Sequence, residues 1–257
     1  MPATPAWPPA SLPRLFVGQP LDGAGEVVLD GPQAHYLAAV MRVKPGDPVA
    51  LCDDISGEWL GIVADVARRT VRLCLDRRLR RRETVPDLWL LAAPIRKGRI
   101  DWVAEKACEL GVARLVPVRT RRAVVDKINA ERLRAHMVEA AEQCGRTALP
   151  ALSELTTLER LLADWPAERA LIFADEAGGD PPARAIAGPP AAILIGPEGG
   201  FDDEERAMIR SLPAARPISL GPRVLRADTA AVAATALWMA TAGDWNEKGT
   251  LDESDGF

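Results

Sequence analysis

Histidine is scarce in this chain: 257 residues contain two, His35 and His136. A zinc site or a histidine-based catalytic triad has almost nothing to build on, so no metal is expected. Four cysteines, Cys52, Cys74, Cys108 and Cys144, lie far apart with no CxxC pair. That excludes a zinc finger and a disulfide framework, and suits reduced thiols in a cytoplasmic protein. The longest apolar run, Ala230 to Ala242, is 13 residues broken by Thr235 and Thr241, too short to span a membrane. The opening MPATPAWPPASLPRLF has neither a basic start nor an apolar h-region. It reads as a Pro-rich disordered lead over 1–13, not as a secretory signal. No GxGxxG follows any strand, so a dinucleotide fingerprint is missing.

Charge, by contrast, is plentiful and uneven. Residues 1–67 carry 3 basic and 8 acidic side chains, and residues 68–134 carry 19 basic and 8 acidic. The tail 244–257 is acidic again. Of the 32 basic residues, 27 are arginine, the side chain whose planar fork suits phosphates and bases. An arginine-rich genome accounts for the ratio; it does not account for Arg77, Arg78, Arg80, Arg81 and Arg82 in one stretch, followed by Arg96, Lys97 and Arg99.

Residues 14–76 read as short strands with turn punctuation, which predicts a small β-barrel. The arginine-rich segment 77–87 reads as a linker. From Leu88 buried apolar runs (89–93, 115–118, 171–174, 192–195, 217–220) alternate with helical periods (101–110, 130–144, 203–211, 228–241). This predicts a mainly parallel α/β domain over 88–243.

Two glycine turns at strand ends carry the chemistry. Ile193-Leu-Ile-Gly-Pro-Glu-Gly-Gly-Phe201 leads into Asp202, whose partner Glu205 completes a capping box. Glu198 stands inside the turn, at the carboxyl end of a strand, where α/β proteins place ligands. The second turn, Ser219-Leu-Gly-Pro-Arg-Val-Leu-Arg226, enters an alanine-rich helix that the Asp228-Thr229 pair is suited to cap.

These motifs resemble the RsmE-type RNA methyltransferases of the SPOUT superfamily. The resemblance rests on Gly196-Pro-Glu-Gly-Gly-Phe201 and Leu220-Gly-x-Arg-Val-Leu-Arg-x-Asp-Thr-Ala230. It extends to Lys97-x-Arg-x-Asp-Trp-x-x-x-Lys106, to Glu139-Ala-x-Glu-Gln143, and to His35-Tyr-Leu-x-x-Val-Met-Arg42. It implies a SPOUT domain with a C-terminal trefoil knot, a small N-terminal PUA-like β-barrel, and a homodimer. It further implies S-adenosylmethionine held by Ala174, Gly196, Pro197, Glu198, Gly199, Gly200, Phe201, Leu220, Gly221, Arg223, Val224, Leu225 and Arg226. The implied reaction is methylation of uridine N3 in 16S ribosomal RNA of the small subunit. Arg14, Arg42, Arg80, Arg82, Arg96 and Lys97 are the expected RNA contacts. Asp228 stands where the family commonly carries Glu.

Methylation at N3 requires loss of the N3 proton or stabilisation of the anion. Arg226 is the candidate for the uracil oxyanion; Glu198 and Asp228 are alternative proton acceptors. The competing readings are a SPOUT enzyme for another target such as tRNA ribose 2′-O, a non-catalytic RNA-binding protein, and a metabolic enzyme for an anionic substrate. The alanine-rich helix is expected in a dimer interface or in the knot core, with Trp238 and Met239 near that buried surface.

Overall fold

A computed structural model describes residues 12–96 and 98–246. Lys97, most of the lead and most of the acidic tail lie outside the described residues. Two structural units follow from the packing. One comprises residues 1–84 with 138–149, the other residues 85–137 with 150–257. The division falls inside a helix that the sequence reads as belonging wholly to the second domain.

The first unit is a five-stranded sheet. Its strands are β1 (Arg14–Phe16), β2 (Glu26–Asp30), β3 (Pro48–Cys52), β4 (Glu58–Val66) and β5 (Thr70–Arg80). Their order is β1-β3-β4-β5-β2, with β1 parallel to β3 and the other pairs antiparallel. Period-two patterning sends Val27 and Leu29 inward and leaves Val28 out. They join Leu15, Leu21, Leu37, Leu51, Val63 and Leu73 in one core. Between β2 and β3 lie α1 (Gly31–His35) and a π-helical turn, Tyr36–Met41.

The expected barrel is not closed by strands: among the described residues β1 and β2 form no ladder. Gln33 Nε2 instead donates to Phe16 O at 2.6 Å, tying α1 to β1. The expected linker is also corrected. β5 runs on to Arg80 because its arginines have partners on β4: Arg78 lies over the Trp59 ring at 5.9 Å, and Arg80 Nε pairs with Glu58 at 2.8 Å.

The second unit is a parallel sheet of seven strands. They are β6 (Leu88–Ala92), β7 (Arg114–Arg119), β8 (Ala151–Leu152), β9 (Thr156–Thr157), β10 (Ala170–Ala174), β11 (Ala191–Ile195) and β12 (Ala215–Ile218). The order is β12-β10-β11-β6-β7-β8, with β9 on β7. Every residue of β11 is buried, as a central strand covered on both faces requires. The helices are α2 (Arg99–Glu109), α3 (Ala130–Cys144), α4 (Leu158–Ala163), α5 (Pro182–Ala185), α6 (Asp203–Ser211) and α7 (Ala227–Ala242). β8, β9, α4 and α5 have no periodic signal in the sequence because each is six residues or shorter.

Two details of the predicted elements shift. The last strand ends at Ile218, so Ser219 and Leu220 belong to the turn. α7 is capped at the Arg226 position without a side-chain bond, and Asp228 lies inside its first turn. Trp238 and Met239 are fully buried within this chain, where Trp238 Nε1 donates to Ala187 O at 2.9 Å. They fill the core of this chain. No helix among the described residues is long and apolar enough to cross a membrane.

Candidate functional site

Three neighbouring parallel strands, β12, β10 and β11, end on the same edge of the sheet. The turns that leave them enclose a cavity of about 440 Å³. Ala174, Asp175 and Glu176 come from the first turn, Ile195 to Gly200 from the second, and Ile218 to Leu225 from the third. Ala227 and Ala230 of α7 close the wall. The carboxyl ends of parallel strands are where such sheets bind ligands, and the volume suits a small molecule.

Each turn is fixed by bonds the sequence supplies locally. Gly200 N donates to Pro197 O at 2.9 Å. The expected capping box forms: Asp202 Oδ1 accepts from Glu205 N at 2.7 Å and Glu205 Oε2 from Asp202 N at 3.1 Å. That backbone donor, helped by Arg121, holds the Asp202 carboxyl below its usual range. Glu205 is fully buried and takes a further bond from Arg121 N. Gly200 has φ +67, and a Cβ there would overlap the Glu176 carboxylate. Gly221, at φ +104, faces open space, so its backbone is free to approach a ligand.

Behind the first turn, Asp175 has a fully buried side chain. It accepts from Arg206 Nε at 3.0 Å and Arg210 Nη2 at 2.6 Å. Arg206 Nη2 also donates to Glu176 Oε1 at 2.6 Å. The first turn is thereby pinned to α6, and Glu176 is held at the cavity rim.

The expected cofactor residues separate into two groups. Ala174, Gly196, Pro197, Glu198, Gly199, Gly200, Leu220, Gly221, Arg223, Val224 and Leu225 all line the cavity. Phe201 does not. It is buried beneath the turn, edge-on to Phe173 at 6.4 Å between ring centroids, and its ring supports Gly196. Arg226 lies next to the cavity wall but outside it, exposed, with no ion pair among the described residues.

Glu198 and Asp228 are brought together, by a residue the sequence placed in a basic stretch and in the Lys97-x-Arg-x-Asp-Trp motif but gave no role in the site. Arg99 Nη1 lies 3.5 Å from Glu198 Oε1 and 3.3 Å from Asp228 Oδ2. Glu176, Asp175 and Ser219 were also missed as cavity residues. Their position directly after β10 and β12 was the available signal.

Among the expected RNA contacts in the first unit, Arg14 and Arg80 are already committed. Both bind Glu58, whose side chain is 3% exposed. Arg82 Nε donates to Asp54 O at 2.8 Å. Arg42 and Arg96 are exposed, and Lys97 is not described. Arg77 and Arg81 of the same basic stretch are exposed, as are Arg68 and Arg69, which the expectation left out.

The RNA methyltransferase domain family matches residues 82–239, and the RNA methyltransferase PUA domain family matches residues 29–73. The chain is similar to the ribosomal RNA small subunit methyltransferase E of Rickettsia conorii, 28% identical over 87% of this chain and 93% of that one. A Synechocystis protein of the same name is 29% identical over 87% of this chain and 76% of its own length. Among solved structures, a Legionella pneumophila methyltransferase in complex with bound SAM superposes with a TM-score of 0.82. It is 28% identical and covers 91% of this chain and 99% of that one.

Proposed function

The chain belongs to the RNA methyltransferase family, and we propose on that premise that it methylates N3 of a uridine in 16S ribosomal RNA of the small subunit, with S-adenosylmethionine as methyl donor. The observation that carries this reading is the cavity framed by three adjacent strand-end turns. Its features fit the donor: apolar Ile195, Ile218 and Leu225 for the adenine, carboxylates Glu176 and Glu198 for hydroxyl and cationic groups, and turn backbone for close approach.

When bound, S-adenosylmethionine supplies a methyl group on a sulfonium, which departs as a neutral thioether. The protein's own task is then to orient uracil and manage one proton. A carboxylate at the mouth accepts the N3 proton, so the N3 lone pair is free for the new bond. Arg226, exposed beside the mouth, stabilises negative charge on the uracil oxygens; it stays charged and does not serve as a base. The deep trefoil knot belongs to this proposal. Its support is that the chain leaves edge strand β12 and returns as α7 against β11 and β6.

A homodimer also belongs to the proposal. Leu237 on α7, Trp245 just after it and Val224 on the third turn are 41%, 52% and 90% exposed. These apolar groups, not Trp238 and Met239, suit a covered face. We place the protein in the cytoplasm, with the small subunit or its RNA as partner. Calorimetry with S-adenosylmethionine in excess chelator tests the cavity assignment: saturable one-site binding supports it, and no binding overturns it.

A further inference from the structure

We propose that Arg99 is a positioning residue: anchored by Asp228, it holds Glu198 at the cavity mouth as the acceptor of the N3 proton. The inference deepens the proposed function by assigning roles to two carboxylates that sequence leaves equivalent.

The placement of Arg99 is the first argument. It is the first residue of α2, after Gly98, where the helix dipole disfavours a cation. Helix stability therefore does not explain an arginine here; two nearby carboxylates do. A single nitrogen, Nη1, serves both of them, so Glu198 and Asp228 are drawn to one point from different elements. The Arg99 side chain is 30% exposed.

The two carboxylates are not alike. Asp228 is the more buried, with a side chain 17% exposed. It accepts a hydrogen bond from Arg99 and another from Thr229 N at 2.8 Å. Each of its oxygens accepts one bond, which suits an anchor. Glu198 is 43% exposed and lines the cavity. At 3.5 Å its contact with Arg99 is an ion pair at the outer limit of a hydrogen bond, leaving its oxygens free to receive a proton. Other charged groups on these elements are occupied or distant from this role. Arg122 Nη1 donates to Gly199 O, Asp202 is held by Arg121 and Asp101 by Arg132. Among the described residues Arg226 makes no ion pair, and Arg184 on α5, which also packs on α7, has no carboxylate partner.

In the step itself the N3–H bond breaks and its proton passes to a Glu198 oxygen. The freed N3 pair forms the bond to the methyl carbon, and the carbon–sulfur electrons leave with sulfur. Glu198, now neutral, gives up its hold on Arg99, which remains paired with Asp228. The site keeps its shape and Glu198 reionises to solvent.

The test uses the full-length protein and the variants Arg99→Lys, Arg99→Gln, Glu198→Gln and Asp228→Asn. The readouts are kcat and KM on small-subunit RNA and Kd for S-adenosylmethionine. Glu198→Gln is expected to lower kcat on the order of 10²–10⁴-fold, the usual range for losing a proton acceptor. Arg99→Gln is expected to lower kcat by a smaller factor with KM and Kd nearly unchanged, and Arg99→Lys to recover part of it. Wild-type kcat in Arg99→Gln, no recovery in Arg99→Lys, or a rise in KM with kcat unchanged overturns the role. If Arg99→Gln does not fold, Asp228→Asn decides: its fall in kcat must be smaller than that of Glu198→Gln, and an equal fall overturns the assignment. Wild-type protein that neither binds the donor nor methylates RNA sinks the proposed function instead.

Discussion

Replacing Gly200 by alanine gives the sharpest test of how the cavity is built. Two effects add. An alanine at φ +67 is strained by about 1–2 kcal/mol, the usual penalty for a Cβ in left-handed backbone. The new methyl also occupies the position of the Glu176 carboxylate, which pairs with Arg206 at 2.6 Å. Glu176 is 40% exposed and flexible, so it moves aside, and losing its partly solvated pair adds about 0–1 kcal/mol. The sum, about 1–3 kcal/mol, corresponds to roughly five- to 150-fold in an equilibrium constant. Differential scanning fluorimetry and calorimetry with S-adenosylmethionine measure how it divides between stability and affinity. Gly221→Ala is the control: its φ is +104 but nothing lies within 4 Å, so it carries strain without collision. Glu176→Ala removes the collision, so Gly200→Ala on that background should fall to the strain alone. A Gly200→Ala protein with unchanged melting temperature and unchanged affinity refutes the reasoning, as does the same deficit with and without Glu176.

Arg226→Ala should lower kcat with RNA still bound, since one oxyanion donor is worth about 2.7–4 kcal/mol in known cases; a rise in RNA KM alone would assign it to binding. Arg80→Ala should destabilise the first unit by about 1.5–3 kcal/mol in chemical denaturation, the range for a hydrogen bond to a charged group, because buried Glu58 loses one of its two arginine partners among the described residues. Charge reversal of exposed Arg77 and Arg81 should instead flatten the salt dependence of RNA binding, by a slope of about 0.7 per lost phosphate contact on single strands. Burial would raise the Asp53 carboxyl, but bonds from Leu21 N, Ile55 N and Ser56 outweigh it and hold it below its usual range. That stability is present above the ordinary carboxylate range and lost as pH falls through it, so Asp53→Asn should flatten the acid limb of a melting-temperature profile. Burial pushes the Cys52 thiol up to about 12, so at mildly alkaline pH a thiol reagent should label exposed Cys74 and spare Cys52 until the protein unfolds.

Local signals in the sequence located the sheet and two of the three turns. β11 reads as buried because all five of its residues are apolar, and α6 reads as a helix start because Asp202 and Glu205 are three apart. What failed is non-local. Motif adjacency put Phe201 with the ligand residues, yet the chain turns it under Gly196 into the core. A run of arginines suggests a solvent-facing linker; nothing near it in sequence announces that Glu58 binds Arg80 across the strands and Arg14 from β1. Arg99 was legible as a charge but not as a bridge, since its partners lie about a hundred residues away. α7 offered Trp238 and Met239 as interface residues because a nearly uniform apolar helix has no face to read; packing leaves Leu237 exposed instead.

The most direct measurement is mass spectrometry of nucleosides from unmodified small-subunit particles incubated with the purified protein and S-adenosylmethionine carrying an isotopic methyl group. The account predicts labelled 3-methyluridine in 16S RNA, lost in Glu198→Gln. A label found only in a ribose 2′-O-methyl nucleoside, or no label in RNA while the donor binds, would contradict it.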